Sequence, residues 1–243
     1  MQKFLITLDQ IQQNRVVIGG QDARHIIRVL RSVPGDRLFF TNGAGMDFTG
    51  CIAESGPGKV VVDIIDACPS HTESPLPLTV CTGMLKHQKM DDVIKGLTQI
   101  GITQWIPFYC ERSIPVPDPG ALARRMARWQ TISKETIKQC QRSRVVEISF
   151  PVQFENILDL ARDFDHCIAF WEQGGLSLSR LERRETSNRT ILLTGPEGGF
   201  SESEINRAAA KGFTPYSLGP RILRAETASL CAAVLIQHRL GDM

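Results

Sequence analysis

The chain opens with short runs in which apolar and polar positions alternate, broken by turn residues. Arg37 to Thr41, Met46 to Ala53 and Val60 to Ile65 read as strands, separated by Asn42-Gly43-Ala44-Gly45 and Ser55-Gly56-Pro57-Gly58. Closely spaced strands with glycine-rich turns predict a small antiparallel barrel. A helical period interrupts them from Gln21 to Arg31, placing Ala23, Ile26, Ile27 and Leu30 inward and Arg24, Arg28 and Arg31 on the opposite face.

Past the polar, proline-containing stretch from His71 to Pro77 the rhythm changes. Strand-like Leu78 to Leu85 leads to helix-like Met90 to Ile100, closed by Gly101, and then to strand-like Gln104 to Tyr109. A long helix from Ala121 to Gln141 comes next. Further strands are expected at Val145 to Ser149, His166 to Trp171, Thr190 to Thr194 and Thr214 to Leu218, with helices between them. Such alternation predicts an α/β domain with a mainly parallel sheet covered on both faces. The expected division is a small β domain over residues 1–70 and an α/β domain over 74–243.

With 42% apolar and 22% charged residues, the composition excludes a disordered or fibrous chain. No stretch approaches the roughly 18 uncharged apolar residues of a membrane span, and the start lacks a signal peptide's cationic and apolar regions, so a cytoplasmic protein is expected. The seven cysteines include no CxxC pair, which argues against a disulfide framework and against a zinc site; no metal is expected. The net charge of +2 hides an uneven distribution. Residues 85–146 carry eleven Lys/Arg against five Asp/Glu, an excess of six positive charges that suits a polyanion such as RNA. Within that segment Lys134, Lys138 and Arg142 recur every four residues on the expected long helix, with Glu135 the sole acidic side chain between Ala121 and Arg144.

The chemistry concentrates in two loops. Ile191-Leu192-Leu193-Thr194-Gly195-Pro196-Glu197-Gly198-Gly199-Phe200-Ser201-Glu202-Ser203-Glu204 reads as strand, glycine-rich loop and helix start. Ser201 and Glu204 have the spacing of a capping box, with Phe200 and Ile205 as its hydrophobic staple. The glycines allow backbone approaches that side chains would block. A second loop, Leu218-Gly219-Pro220-Arg221-Ile222-Leu223-Arg224-Ala225-Glu226-Thr227, also comes after a strand-like run and opens a helix, Ala225 to Leu240, apolar around most of its circumference. Loops at the carboxyl ends of parallel strands are where ligands bind in such folds.

These paired loops resemble the signature of the ribosomal RNA small subunit methyltransferase E family, in the SPOUT superfamily. Supporting resemblances are His25-Ile26-Ile27-Arg28-Val29-Leu30-Arg31 with Gly35-Asp36, Lys89-Met90-Asp91, and Gln99-Ile100-Gly101. One departure stands at Lys138-Gln139-Cys140-Gln141-Arg142, where the family commonly has a Glu-Gln pair, a small residue and Gly-Arg. The resemblance implies a PUA-like β-barrel that binds RNA, joined to a SPOUT methyltransferase domain with a parallel sheet and a carboxy-terminal trefoil knot. It implies an S-adenosylmethionine (SAM)-dependent enzyme, a homodimer, that methylates N3 of a uridine in 16S ribosomal RNA of the small ribosomal subunit.

Carried over residue by residue, Leu193, Thr194, Gly195, Pro196, Leu218, Gly219, Ile222 and Leu223 are expected to bind the cofactor. Uridine N3 is a poor nucleophile while protonated, so a base or an anion-stabilising group is expected, with Glu197 and Arg224 the candidates. Arg24, Arg28, Arg31, Lys134, Lys138 and Arg142 are the candidates for RNA contact. Two rivals remain: a nicotinamide enzyme, although the first loop is not GxGxxG, and a non-catalytic RNA-binding protein that keeps the fold.

Overall fold

A computed structural model describes residues 3–7, 10–86, 88–114, 118–185 and 187–243. The chain divides into two units: residues 1–73 with 134–145, and residues 74–133 with 146–243. Residues 134–145, the end of the long helix and the turn after it, thus group with the amino-terminal part.

The first unit is built on a six-stranded sheet. Its strands are β1 (Lys3–Leu5), β2 (Ile11–Gln12), β3 (Arg15–Gly19), β4 (Arg37–Thr41), β5 (Met46–Gly56) and β6 (Lys59–Pro69), in the order β1-β4-β5-β6-β3-β2. All neighbours are antiparallel except β1, which runs parallel to β4. Alternate positions of β3, β4 and β6 (Val16, Ile18; Leu38, Phe40; Val60, Val62, Ile64) meet Phe4, Ala23 and Ile26 in one apolar cluster, as the period of two requires.

The helix expected over Gln21 to Arg31 departs from a regular α-helix. It is α1 (Gly20–Arg24) followed by a π-helical turn, His25–Val29, and Arg31 lies beyond it with φ of 53°. Widening the turn rotates later side chains off the α-helical face. Ala23 and Ile26 are therefore buried while Leu30 is 41% exposed. Arg24, Arg28 and Arg31 are all exposed, without the even spacing of one helix stripe.

The second unit holds an all-parallel sheet. Its strands are β7 (Leu78–Gly83), β8 (Gln104–Tyr109), β9 (Glu147–Ile148), β10 (Val152–Gln153), β11 (His166–Phe170), β12 (Leu176–Ser177), β13 (Thr190–Thr194) and β14 (Thr214–Ser217). The order is β10-β8-β7-β13-β11-β14-β12, with β9 also on β8. The helices are α2 (Lys89–Ile100), α3 (Pro119–Cys140, whose last turns belong to the first unit), α4 (Phe154–Leu158), α5 (Glu202–Ala210) and α6 (Ala225–Leu240).

Alternation along the central strands sends Leu78, Val80 and Leu192 into a cluster with α2, α3 and α6. Cys81, Ile191 and Leu193 point into a second cluster with α4 and α5, so both sheet faces are covered. Gly96 lets α2 and α6 approach closely, since a Cβ there would strike Leu230. Among the described residues no helix is long and apolar enough to cross a membrane.

The expected stripe Lys134, Lys138, Arg142 does not exist as a surface. The helix ends at Cys140, and Gln141 reverses the chain with φ of 63°. Arg142 is carried inward, 3% exposed, where its guanidinium donates to Glu73 Oε2 at 2.8 and 3.2 Å, while Glu73 Oε1 accepts from the Ser143 and Arg144 amides. A buried arginine satisfied in this way holds structure and is withdrawn as an RNA contact. Lys138 is half-buried between Asp22 and Glu135. Lys134 stays exposed.

Gln141 occupies the position where the resembling family carries glycine, and its left-handed backbone explains the preference: a side chain there costs on the order of 1 kcal/mol. Its carbonyl accepts from Lys3 Nζ and Thr72 Oγ1, both at 2.7 Å, which holds the turn whatever the side chain. Urea unfolding should therefore find Gln141→Gly within about 1 kcal/mol of the parent or more stable, and Gln141→Val less stable by more than about 1 kcal/mol. A Gly variant less stable than the Val variant would contradict this account.

Candidate functional site

The two loops singled out above converge at the carboxyl ends of β13 and β14. The first departs from β13 at Thr194, whose hydroxyl lies 2.7 Å from Ser229 Oγ on α6, while Ser229 also bonds Ala225 O at 3.0 Å. Strand and helix are thereby tied in the interior. Thr194 sits across from Thr82 of β7, and the next β7 residue, Gly83, gives the loop room: a Cβ on Gly83 would stand 2.6 Å from Pro196 N. Neither Ser229 nor Gly83 stands out in the sequence.

Further along, Ser201 and Glu204 form the capping box, and Phe200 and Ile205 are buried together. The buried Glu204 carboxylate is satisfied by the Ser201 amide at 2.9 Å and the Glu111 amide at 2.8 Å. Arg112 donates to Gly198 O at 2.9 Å, so the segment after β8 braces the glycine-rich loop.

The second loop leaves β14 through Leu218 and enters α6 after Arg224, which occupies the N-cap position in extended backbone without side-chain capping. Gly219 has φ of 106° and open space about it, so backbone conformation rather than crowding calls for glycine there.

Between the loops lies a cavity of about 440 Å³, lined by Thr194, Gly195, Pro196, Leu218, Gly219, Ile222 and Leu223 as expected for cofactor contact, and by Glu197 and Arg224. Leu193 is the exception. The strand's alternation turns it to the opposite face, into the cluster with α5, so its side chain is withdrawn from the site. Ile222 stands at the mouth, 85% exposed. Sequence reasoning missed Lys89, Phe170, Trp171, Glu172 and Arg221, which also line the cavity. Its size and its mixture of apolar walls, glycine backbone and a few charges suit a small polar ligand with an apolar part.

Lys89 joins the two loops. Its ammonium lies 3.1 Å from Glu197 Oε1 and 3.4 Å from Glu226 Oε2, the latter an ion pair without hydrogen-bond geometry. The hydrogen bond to Glu197 leads in raising the Lys89 pKa against partial burial. For Glu197, burial pushes the pKa up, but the Lys86 amide at 3.0 Å and the Lys89 ammonium outweigh it and leave the carboxyl below its ordinary value. A carboxylate held anionic and already accepting two hydrogen bonds is a weaker proton acceptor than a free one. Arg224, by contrast, is exposed on the cavity and its guanidinium has no partner among the described residues.

A family model for RNA methyltransferase domains matches residues 72–237, and one for the PUA domain of RNA methyltransferases matches residues 18–65. The chain is 29% identical to ribosomal RNA small subunit methyltransferase E of Bacillus subtilis over 98% of its own length and 97% of that protein's. It is 27% identical to the protein of the same name from Synechocystis, over 98% and 78%. Among solved structures, ribosomal RNA small subunit methyltransferase E from Neisseria gonorrhoeae bound to S-adenosyl methionine superposes with a TM-score of 0.87 at 28% identity, covering 100% and 99% of the two chains. A Legionella pneumophila structure in complex with the cofactor SAM superposes at 0.83, with 27% identity over 100% and 98%.

The Lys89 clasp has a definite pH window. The lowered Glu197 carboxyl contributes stability above its ordinary pKa of 4.5, lost as pH falls through the folded value; the raised Lys89 contributes fully below 10.5 and loses its share only above that. Wild type should melt above Glu197→Gln at about pH 7, with the gap closing as pH is brought below 4.5. A gap that persists unchanged to about pH 3 would show that the carboxylate is not held by charge.

Proposed function

This chain belongs to the family of RNA methyltransferase domains, and from that premise we propose that it transfers a methyl group from SAM to N3 of a uridine in the 16S RNA of the small ribosomal subunit. The observation that carries the reading is the cavity between two loops at the ends of parallel strands, with an uncommitted arginine on its wall. The proposal includes the carboxy-terminal trefoil knot of SPOUT enzymes and a cytoplasmic location.

Thr194, Gly195, Pro196, Leu218, Gly219, Ile222 and Leu223 would hold the cofactor by apolar contact and by backbone groups. When bound, it supplies a methyl group on a positively charged sulfur. The chain itself must orient the uracil and favour its anion. The imide proton must leave N3 before that nitrogen can accept a methyl group, and its release to solvent spreads negative charge over N3 and the two carbonyl oxygens beside it. Arg224, permanently protonated, stabilises that charge, while Lys89 stays with its two carboxylates.

The reading assigns RNA holding to other residues. Arg24, Arg28, Arg31 and Lys134 are exposed in the first unit, which contains the segment matching the PUA domain. A second copy of the chain is the proposed cover for the outer face of α6, where Leu235 is 37% exposed and Cys231 and Val234 are half-buried.

Calorimetry tests the reading directly, with SAM binding expected and NADH not. Arg224→Ala should cut single-turnover methylation at saturating RNA by about 100-fold or more with little change in RNA affinity. Reversing Arg24, Arg28 and Arg31 to Glu should do the opposite, weakening RNA binding and flattening the slope of log affinity against log salt by about 0.7 to 0.9 per lost contact. Equal turnover in Arg224→Ala, or an unchanged salt slope, refutes the respective assignment. Sedimentation should give a dimer burying at least about 1,200 Å². A lone 27.0 kDa species at micromolar concentration rules the dimer out.

A further inference from the structure

Two residues past the end of β11, Glu172 presents a carboxylate to the cavity that nothing in the chain occupies. Its side chain has no hydrogen-bond or ion-pair partner among the described residues, in contrast to Glu197, the other acid on the wall. It lies against the glycine-rich loop, so closely that a Cβ on Gly199 would collide with the carboxylate. Beside it, Trp171 also lines the cavity and has a buried indole N–H without an acceptor. Buried polar groups are normally paired. An exposed carboxylate with no donor in the chain, set against the glycine-rich loop at the end of β11, marks the part of the wall where a ligand's hydroxyl groups can be met.

We infer that Glu172 recognises the sugar of the nucleoside cofactor, accepting hydrogen bonds from its vicinal 2′ and 3′ hydroxyls; the inference rests on the SAM reading of the cavity. An ionised carboxylate is acceptor-only with two oxygens, which matches two adjacent O–H donors. Its place in the fold matches too. Dinucleotide-binding sheets offer an analogy, in which an acidic side chain near a glycine-rich loop takes a ribose hydroxyl; here β11 is hydrogen-bonded directly to β13, from which the glycine-rich loop departs. The amino-acid end of the cofactor carries a carboxylate, and Arg221, the wall cation given no other role, lies on the loop before α6. That division leaves the β11 end for the sugar.

The test is calorimetry on the full chain, wild type and Glu172→Gln, with SAM and with 5′-methylthioadenosine, which keeps adenine and ribose but lacks the amino-acid part and the sulfonium charge. Glu172 is exposed, so circular dichroism should be unchanged. Both ligands should weaken by a similar factor of about 10 to 100 in the variant, as loss of hydrogen bonds to a charged group implies. Wild-type affinity for both ligands in Glu172→Gln overturns the assignment, and if single-turnover methylation then slows, the carboxylate is a base instead. A loss confined to SAM overturns it as well, moving the carboxylate to the α-ammonium. Failure of the wild-type chain to bind either nucleoside is a separate result, which removes the SAM reading and this assignment with it.

Discussion

One ammonium group, Lys89 Nζ, stands between two loops that belong to different strands, 3.1 Å from Glu197 on one and 3.4 Å from Glu226 at the start of the helix after the other. The cavity lies between those loops. Interior contacts help to keep them together, because Thr194 and Ser229 tie β13 to α6 and Gly83 admits Pro196 against β7. The ion pairs are half-exposed and individually weak, so they set the loops' register more than they stabilise the fold. They preserve a polar site at the ends of parallel strands, where the sheet's own geometry leaves a crevice.

Charge is used differently in the two parts of the chain. In the second unit the cations next to the cavity are either committed, as Lys89 is, or poised on its wall, as Arg224 is. In the first unit three arginines around a π-helical turn face solvent beside exposed Val29, Leu30 and Val33. Basic groups interleaved with apolar ones suit a partner with phosphates and bases. The middle segment's excess of positive charge overstates the number of free cations, because Arg128 pairs with Asp91, Lys138 with Asp22 and Arg142 with Glu73.

Much of this was legible from local rules. The capping box at Ser201 and Glu204, the glycine after α2 and the bounds of β13 come from short-range chemistry and appear as expected. Failures came where a single residue redirects the backbone beyond it. Gln141's left-handed backbone turned Arg142 from a helix stripe into a buried clamp, and a π-turn carried Leu30 outward. Leu193 was misplaced because carrying over a motif ignores strand alternation, although Leu192 and Leu193 must face opposite sides. Lys89 and Glu172 were missed for another reason: their places on the cavity wall depend on β7, β13 and β11 being neighbours, and strand order is set by long-range packing that no local pattern encodes.

The central claim is that both loops together form a single SAM site. Hydrogen exchange of the backbone amides, measured with and without SAM, tests it most directly because it reports each loop separately. The account predicts that SAM slows exchange in 194–200 and in 218–225 together, at the same ligand concentration, while the sheet of the first unit is unaffected. Protection of one loop alone, or protection elsewhere with both loops unchanged, would contradict it.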